Sequence, residues 1–284
     1  MRTVFAAISF WISVVLLGNS VAAFCQQQQP FAAGCDLPYQ AIGEKHDIID
    51  DSCPIEGAGR NKPLTAVKIA EDKAKNSFCL TGSPIPITYN TFLALGKKTA
   101  DVKESELQDR QAKLARLVSV GNKKVGEGTL VRFVAFVVHA QYSDVKRGKS
   151  QTFGEAVNCY RPSNEENDIH IMLGRSTDED PCASLTAEMS PHFRPLTWTP
   201  DAINAVGKHP VRITGQMFYD SSHKPCTAGK RVSPPRASVW EIHPTYAIDV
   251  CQNTTLAACP AISKTVWVPL NEWSSVDSAE SEDQ

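Results

Sequence analysis

Most of the short patterns that name a chemistry are missing from this chain. It has no His-Glu-x-x-His, no His-x-His, no Gly-x-Ser-x-Gly elbow and no Cys-x-x-Cys pair. Those absences set aside the recognisable zinc peptidases, serine hydrolases, zinc clusters and thioredoxin-type redox sites. Basic residues are not in excess: 29 Lys and Arg face 31 Asp and Glu, a formal charge of −2. Without a basic excess or stripe, nucleic acid is not favoured as a partner. After the first 17 residues no apolar run is long enough to span a bilayer, so no membrane span is expected once the leader is removed. Histidine is scarce too, with seven in the whole chain.

What is present begins with a leader. Residues 1–23 combine Arg2, an apolar run from Val4 to Leu17 and small residues at Val21 and Ala23, the pattern of a secretory signal peptide. Cleavage there makes Phe24 the first mature residue and takes Arg2 away, leaving 28 bases against 31 acids, a charge of −3. The expected location is secreted or periplasmic. All nine cysteines follow the cleavage point, and in an oxidising compartment they read first as disulfides. Cys53–Cys79 and bridges among Cys159, Cys182, Cys226, Cys251 and Cys259 are the expected pairings. An odd count leaves one thiol over.

Residues 24–118 read as a disulfide-containing helical segment. Leu64 to Asn76 has helical spacing, and Pro84 with Pro86 marks an extended connector. Asp101 and Glu104 form a capping box for a second helix running to Val118. Past Gly121 the period becomes that of strands. Thr129–Ala140 is β-branched and aromatic throughout, and shorter strands are expected at Glu155–Arg161, Asp168–Leu173 and Ala183–Met189. Thr199 and Pro200 then open a helix that Gly207 stops. Strands at Pro210–Tyr219 and Ser238–Val250 follow, with Gly215 placed to permit a sharp bend. The expected class is α+β: a small antiparallel OB-like barrel over residues 119–262, preceded by the helical segment. An acidic, disordered tail over 263–284 completes the division.

The phrases Asn158-Cys159-Tyr160-Arg161, Asp168-Ile169-His170 and Trp240-Glu241-Ile242-His243-Pro244 resemble a group of uncharacterised exported bacterial proteins. The resemblance spans about residues 120–252 and implies the barrel. It carries no activity and assigns no residue a role.

The chemical signal is a concentration of acid–histidine pairs: Asp168 with His170, Glu188 with His192, Asp220 with His223, and Glu241 with His243. On a strand, residues i and i+2 share a face, so a carboxylate and an imidazole stand side by side. Such a pair chelates a divalent ion such as zinc, or orients a general base. The plainer alternative is an exposed surface pair of little energetic weight. Arg161, Arg194 and Trp240 are the expected ligand-binding residues, since arginine and aromatics line oligonucleotide- and oligosaccharide-binding barrels. Two functions from different classes follow. The preferred one is a non-catalytic exported binding module whose ligand is an oligosaccharide, an oligonucleotide or a protein. It expects exposed arginine or aromatic side chains on one face and acid–histidine pairs pointing different ways. The alternative, a divalent-metal-dependent hydrolase of a phosphodiester or similar ester, requires at least three of the eight paired residues to converge.

Overall fold

A computed structural model describes residues 31–37, 39, 42–43, 47–143 and 154–273. The leader, Cys25 and residues 274–284 lie outside them. Elements run in the order α1 (Asp47–Asp50), α2 (Ala66–Lys75), β1 (Ile85–Ile87), α3 (Tyr89–Lys98), α4 (Arg110–Leu114), β2 (Val118–Val120), β3 (Lys123–Val125) and β4 (Leu130–Tyr142). There follow β5 (Ile169–Gly174), β6 (Leu185–Met189), α5 (Pro200–Asn204), β7 (Val211–Tyr219), β8 (Trp240–Cys251) and β9 (Trp267–Pro269).

Local chemistry accounts for most of these ends. Thr65 caps α2 by accepting from the Lys68 amide, and Thr199 caps α5 by accepting from Ala202 beside Pro200. The extended connector expected at Pro84 and Pro86 is β1, and a helix that was not expected, α3, follows it, its start marked by Thr88 and the returning Thr91 hydroxyl. One expectation fails nearby. The helix expected from Asp101 to Val118 breaks into a 3₁₀ turn at Glu104–Glu106 and the short α4, which Asp109 caps. Glu155–Arg161 is likewise no strand. It forms a 3₁₀ turn at Ala156–Asn158, closed by Cys159 and Tyr160 at φ of 53° and 56°, which a strand cannot accommodate.

Strands β4, β5, β6, β8 and β7 pair in that order, and β7 returns to β4 to close a five-stranded barrel. The barrel is mixed rather than antiparallel. β7 runs against β4 and β8 against β7, so β8 enters beside β6 pointing the same way, a parallel pair at Thr186–Glu241 and Ala187–Ile242. Gly215 sits at the register shifts between β7 and β8. A Cβ there would meet the Pro244 carbonyl oxygen at 2.4 Å, so a side chain is excluded where β8 crosses.

Alternate residues fill the interior: Ile169, Ile171 and Leu173 of β5, Leu185, Ala187 and Met189 of β6, Ile213 and Met217 of β7, and Ile242 of β8. Phe31, Ile42, Phe78, Phe92 and Leu95 from the N-terminal segment join the same core. Past the barrel the chain does not become a tail at residue 263. β9 pairs with the end of β8, and Trp267, Leu270 and Trp273 are buried.

Four disulfides staple the fold, and two differ from expectation: Cys53 joins Cys159 and Cys79 joins Cys35, in place of Cys53–Cys79. Cys182–Cys226 and Cys251–Cys259 are bridges among the last five cysteines. Among the described residues, no helix is long and apolar enough to cross a membrane.

Candidate acid–histidine site

If Ile169, Ile171, Ala187 and Ile242 point into the barrel, then His170, Glu188, Glu241 and His243 point out of it. Yet Glu188, Glu241 and His243 are buried, and His170 is only partly exposed. Helix α2 lies over this part of the wall with Glu71, Asp72 and Lys75 on its buried face. Gln216 donates to the Ala74 carbonyl at 2.6 Å, and the Ser221 hydroxyl donates to Glu71 at 2.7 Å, fixing the helix to the end of β7. The turn carrying Glu155 is held by Cys53–Cys159, and the segment leading to Arg236 by Cys182–Cys226.

Cross-strand register makes the first contact, placing His170 opposite Glu188. His170 Nε2 is 3.6 Å from Glu188 Oε1 and 3.9 Å from Glu155 Oε1. The second oxygen of each carboxylate is taken by a cation: Lys75 Nζ lies 2.6 Å from Glu155 Oε2, and His243 Nδ1 lies 3.1 Å from Glu188 Oε2. Glu155, His170 and Glu188 therefore offer one ligand atom each, all within 4.8 Å of one another. The Ser143 hydroxyl stands 2.8 Å from the same imidazole nitrogen. Asp168, Glu188 and His243 make a second such group, wholly buried, in which Asn158 donates to Asp168 Oδ1 at 2.9 Å.

The network continues through Arg236. Its Nη1 reaches Asp220 at 2.8 Å and Glu241 at 3.0 Å, and Asp220 in turn holds His223 at 2.6 Å. Seven of the eight paired residues thus belong to one array. His192 does not. It bonds Asp50 at 2.5 Å and stacks on Phe31 at 3.9 Å, in the aromatic part of the core.

Burial decides the electrostatics. Burial works against charge on Glu188, but His170, Lys75 and His243 outweigh it and hold that carboxyl well below its usual range. Lys75 is likewise disfavoured by burial, yet Glu155 and Glu188 keep its ammonium charged. Burial, with Glu188 and Asp220 nearby, pushes Glu241 up to about 7. His243 rises to about 10 despite its burial, through its contacts with Glu188 and Glu241. Removing this many charges from water costs several kcal/mol each before pairing offsets it. Even so, Asp168 Oδ2, Glu188 Oε2, Glu241 Oε1 and both His243 nitrogens are buried without a hydrogen bond of good geometry. Strongly perturbed groups gathered this way make a candidate functional site, although structural ion-pair networks perturb their members too.

The residues expected to bind ligand do other work. Trp240 is fully buried in the barrel, its Nε1 donating to Thr99 Oγ1 at 3.0 Å. Arg194 is buried and donates to the carbonyls of Asn167, Met189 and Glu165, which clamps loops together. Arg161 donates to the Ser52 hydroxyl, bracing the Cys53–Cys159 region. Trp240 and Arg194 are buried, whereas Arg161 is partly exposed. Sequence reading missed Lys75 and Glu155 altogether. The one signal for Lys75 was its place four residues after Glu71 on a helix whose buried face is charged.

Two openings adjoin the array. A cleft of about 170 Å³ reaches His170 and Arg236. A larger groove of about 960 Å³ lies between α3 and the 221–239 segment, lined in part by Lys97, Lys103, Lys224, Lys230 and His223. No family model, curated protein or solved structure matches this chain.

Proposed function

We propose that this chain is an exported, divalent-cation-dependent hydrolase of a phosphodiester or similar ester, built on an OB-like barrel. One observation carries the proposal: Glu155, His170 and Glu188 converge, each turning one donor atom inward while Lys75 and His243 hold the opposite oxygens. Separations of 3.6 and 3.9 Å from His170 Nε2 suit ligand bonds of about 2.0–2.2 Å after small shifts. Hydrogen-bonded outer groups orient metal ligands, as Lys75 does for Glu155, while His243 faces Glu188 as an ion-pair partner. His170 and Glu155 are partly exposed, so a cation here keeps a side open for water. The buried group of Asp168, Glu188 and His243 has no such side.

A bound cation supplies Lewis acidity and a more acidic water. The chain's own groups set its strength. Lys75 offsets one of the two carboxylate charges, which weakens cation affinity and also places an ammonium beside developing negative charge. The OB-like assignment rests on strand order and on α5 lying between the third and fourth barrel strands. Four disulfides and the leader-like residues 1–23 support export.

The test is a titration of the purified mature protein with zinc and manganese, with hydrolysis of bis-p-nitrophenyl phosphate followed with and without EDTA. Stoichiometric binding and EDTA-sensitive turnover, both lost in His170→Ala, are expected. A folded protein that shows neither cation binding nor turnover overturns the proposal. A second reading, a non-catalytic module for an anionic ligand, draws on the lysine-lined groove beside His223. It is the weaker one, because Arg194 and Trp240 are buried instead of exposed on a binding face.

A further inference from the structure

The cleft beside the carboxylate triad has the opposite character. Its polar lining comes from His139, Gln141, His170, Thr186 and Arg236, and no carboxylate lines it. Arg236 is 1% exposed. Its Nη1 is fully engaged by Asp220 and Glu241, but Nε and Nη2 have no hydrogen-bond partner. Glu188 Oε1 is 4.0 Å from Nη2, beyond hydrogen-bonding reach. A guanidinium edge of two parallel N–H groups matches two oxygens of a single oxyanion. Leaving such an edge buried and unmade is costly, more so for a charged group.

We propose that this cleft is an anion subsite that takes one phosphate group, gripped by the Nε–Nη2 edge of Arg236 with Gln141 and Thr186 as further donors. About 170 Å³ holds one tetrahedral oxyanion and several waters. The subsite deepens the hydrolase proposal and rests on it for its role. His170 belongs both to the cleft and to the cation triad, so a phosphoryl group seated here lies between Arg236 and the cation. The substrate class this selects is a phosphate ester.

The experiment is calorimetric titration in EDTA, without any divalent cation, using inorganic phosphate, dimethyl phosphate and acetate as separate probes. Saturable phosphate binding is expected, with dimethyl phosphate within a few-fold of it if esters are the natural source and far weaker if free phosphate is. Acetate is expected to bind much more weakly, and equal acetate affinity overturns the phosphate assignment. Gln141 is exposed, so Gln141→Glu leaves the fold intact while placing a like charge in the cleft. That charge weakens phosphate by about tenfold or more. Arg236→Lys, if it folds, removes the paired edge and does the same. Undetectable phosphate binding, or binding unchanged in folded Gln141→Glu, overturns the subsite. The two proposals fail separately. Phosphate binding in EDTA without cation-dependent turnover leaves the subsite and sinks the hydrolase, whereas turnover that phosphate does not inhibit sinks the subsite alone.

Discussion

Lys75→Met removes the ammonium that neutralises the centre of the array while keeping most of the side chain's volume. Lys75 is 2% exposed, 2.6 Å from Glu155 Oε2 and 4.0 Å from Glu188 Oε2. Taking one partner from a buried ion pair costs about 3–5 kcal/mol, because the other is left charged and poorly solvated. Glu155 is 27% exposed, so water recovers some of that, and the lower end, about 3 kcal/mol, is expected. In urea, with a slope of about 2–3 kcal/mol per M, the unfolding midpoint falls by about 1–1.5 M. Adding Glu155→Gln to the variant restores part of the loss, since the orphaned charge goes with it. The cation site makes a sharper demand. Without the ammonium, zinc or manganese has less competition, and at a hundred times its Kd it returns about 2.7 kcal/mol. A midpoint that does not move refutes the claim that Lys75 offsets buried carboxylates. A fall that no cation reverses refutes the cation site.

Four further outcomes are expected. Trp240→Ala costs about 3–5 kcal/mol by the cavity it opens, and leaves phosphate affinity unchanged once the protein is folded, read by urea melts and calorimetry. Gly215→Ala lowers stability by about 1–3 kcal/mol, since its Cβ meets backbone at the β8 crossing; an unchanged thermal midpoint contradicts this. Cys53–Cys159 closes 106 residues and Cys251–Cys259 only 8, so by chain entropy their removal costs about 4.8 and about 2.5 kcal/mol respectively, a difference that paired serine variants measure. The fourth concerns pH. The bond from Asp220 raises His223 above its ordinary value, outweighing burial and Arg236. The stability His223 contributes is therefore full below its unfolded pKa of about 6.5 and is lost as pH rises through the higher folded value. His223→Gln flattens the decline in stability across that window, and an undiminished slope argues against the pair.

Much of the barrel was legible because local rules and tertiary packing agree there. β4, β7 and β8 are β-branched and aromatic runs, and α5 carries its cap and its proline. α3 was missed because Pro84 and Pro86 dominate the stretch before it, although Thr88 and Thr91 mark its start. The site was legible as a concentration but not as a set of partners. Asp168 was paired on paper with His170, yet its imidazole neighbour is His243 at 3.8 Å. Glu188 meets His170 and His243, while His192 turns away to Asp50.

Composition, spacing and turn residues determined the five barrel strands and which faces of them carry acids and imidazoles. Period-2 alternation is local, and a chain cannot hide it. Partner choice was decided only on closure of the barrel. The parallel insertion of β8 beside β6 brings Glu241 and His243 to Glu188, and α2 arrives from far back in the chain with Lys75. Coulombic pairing depends on separation in space, and no spacing along the chain reports that a helix will cover a polar wall.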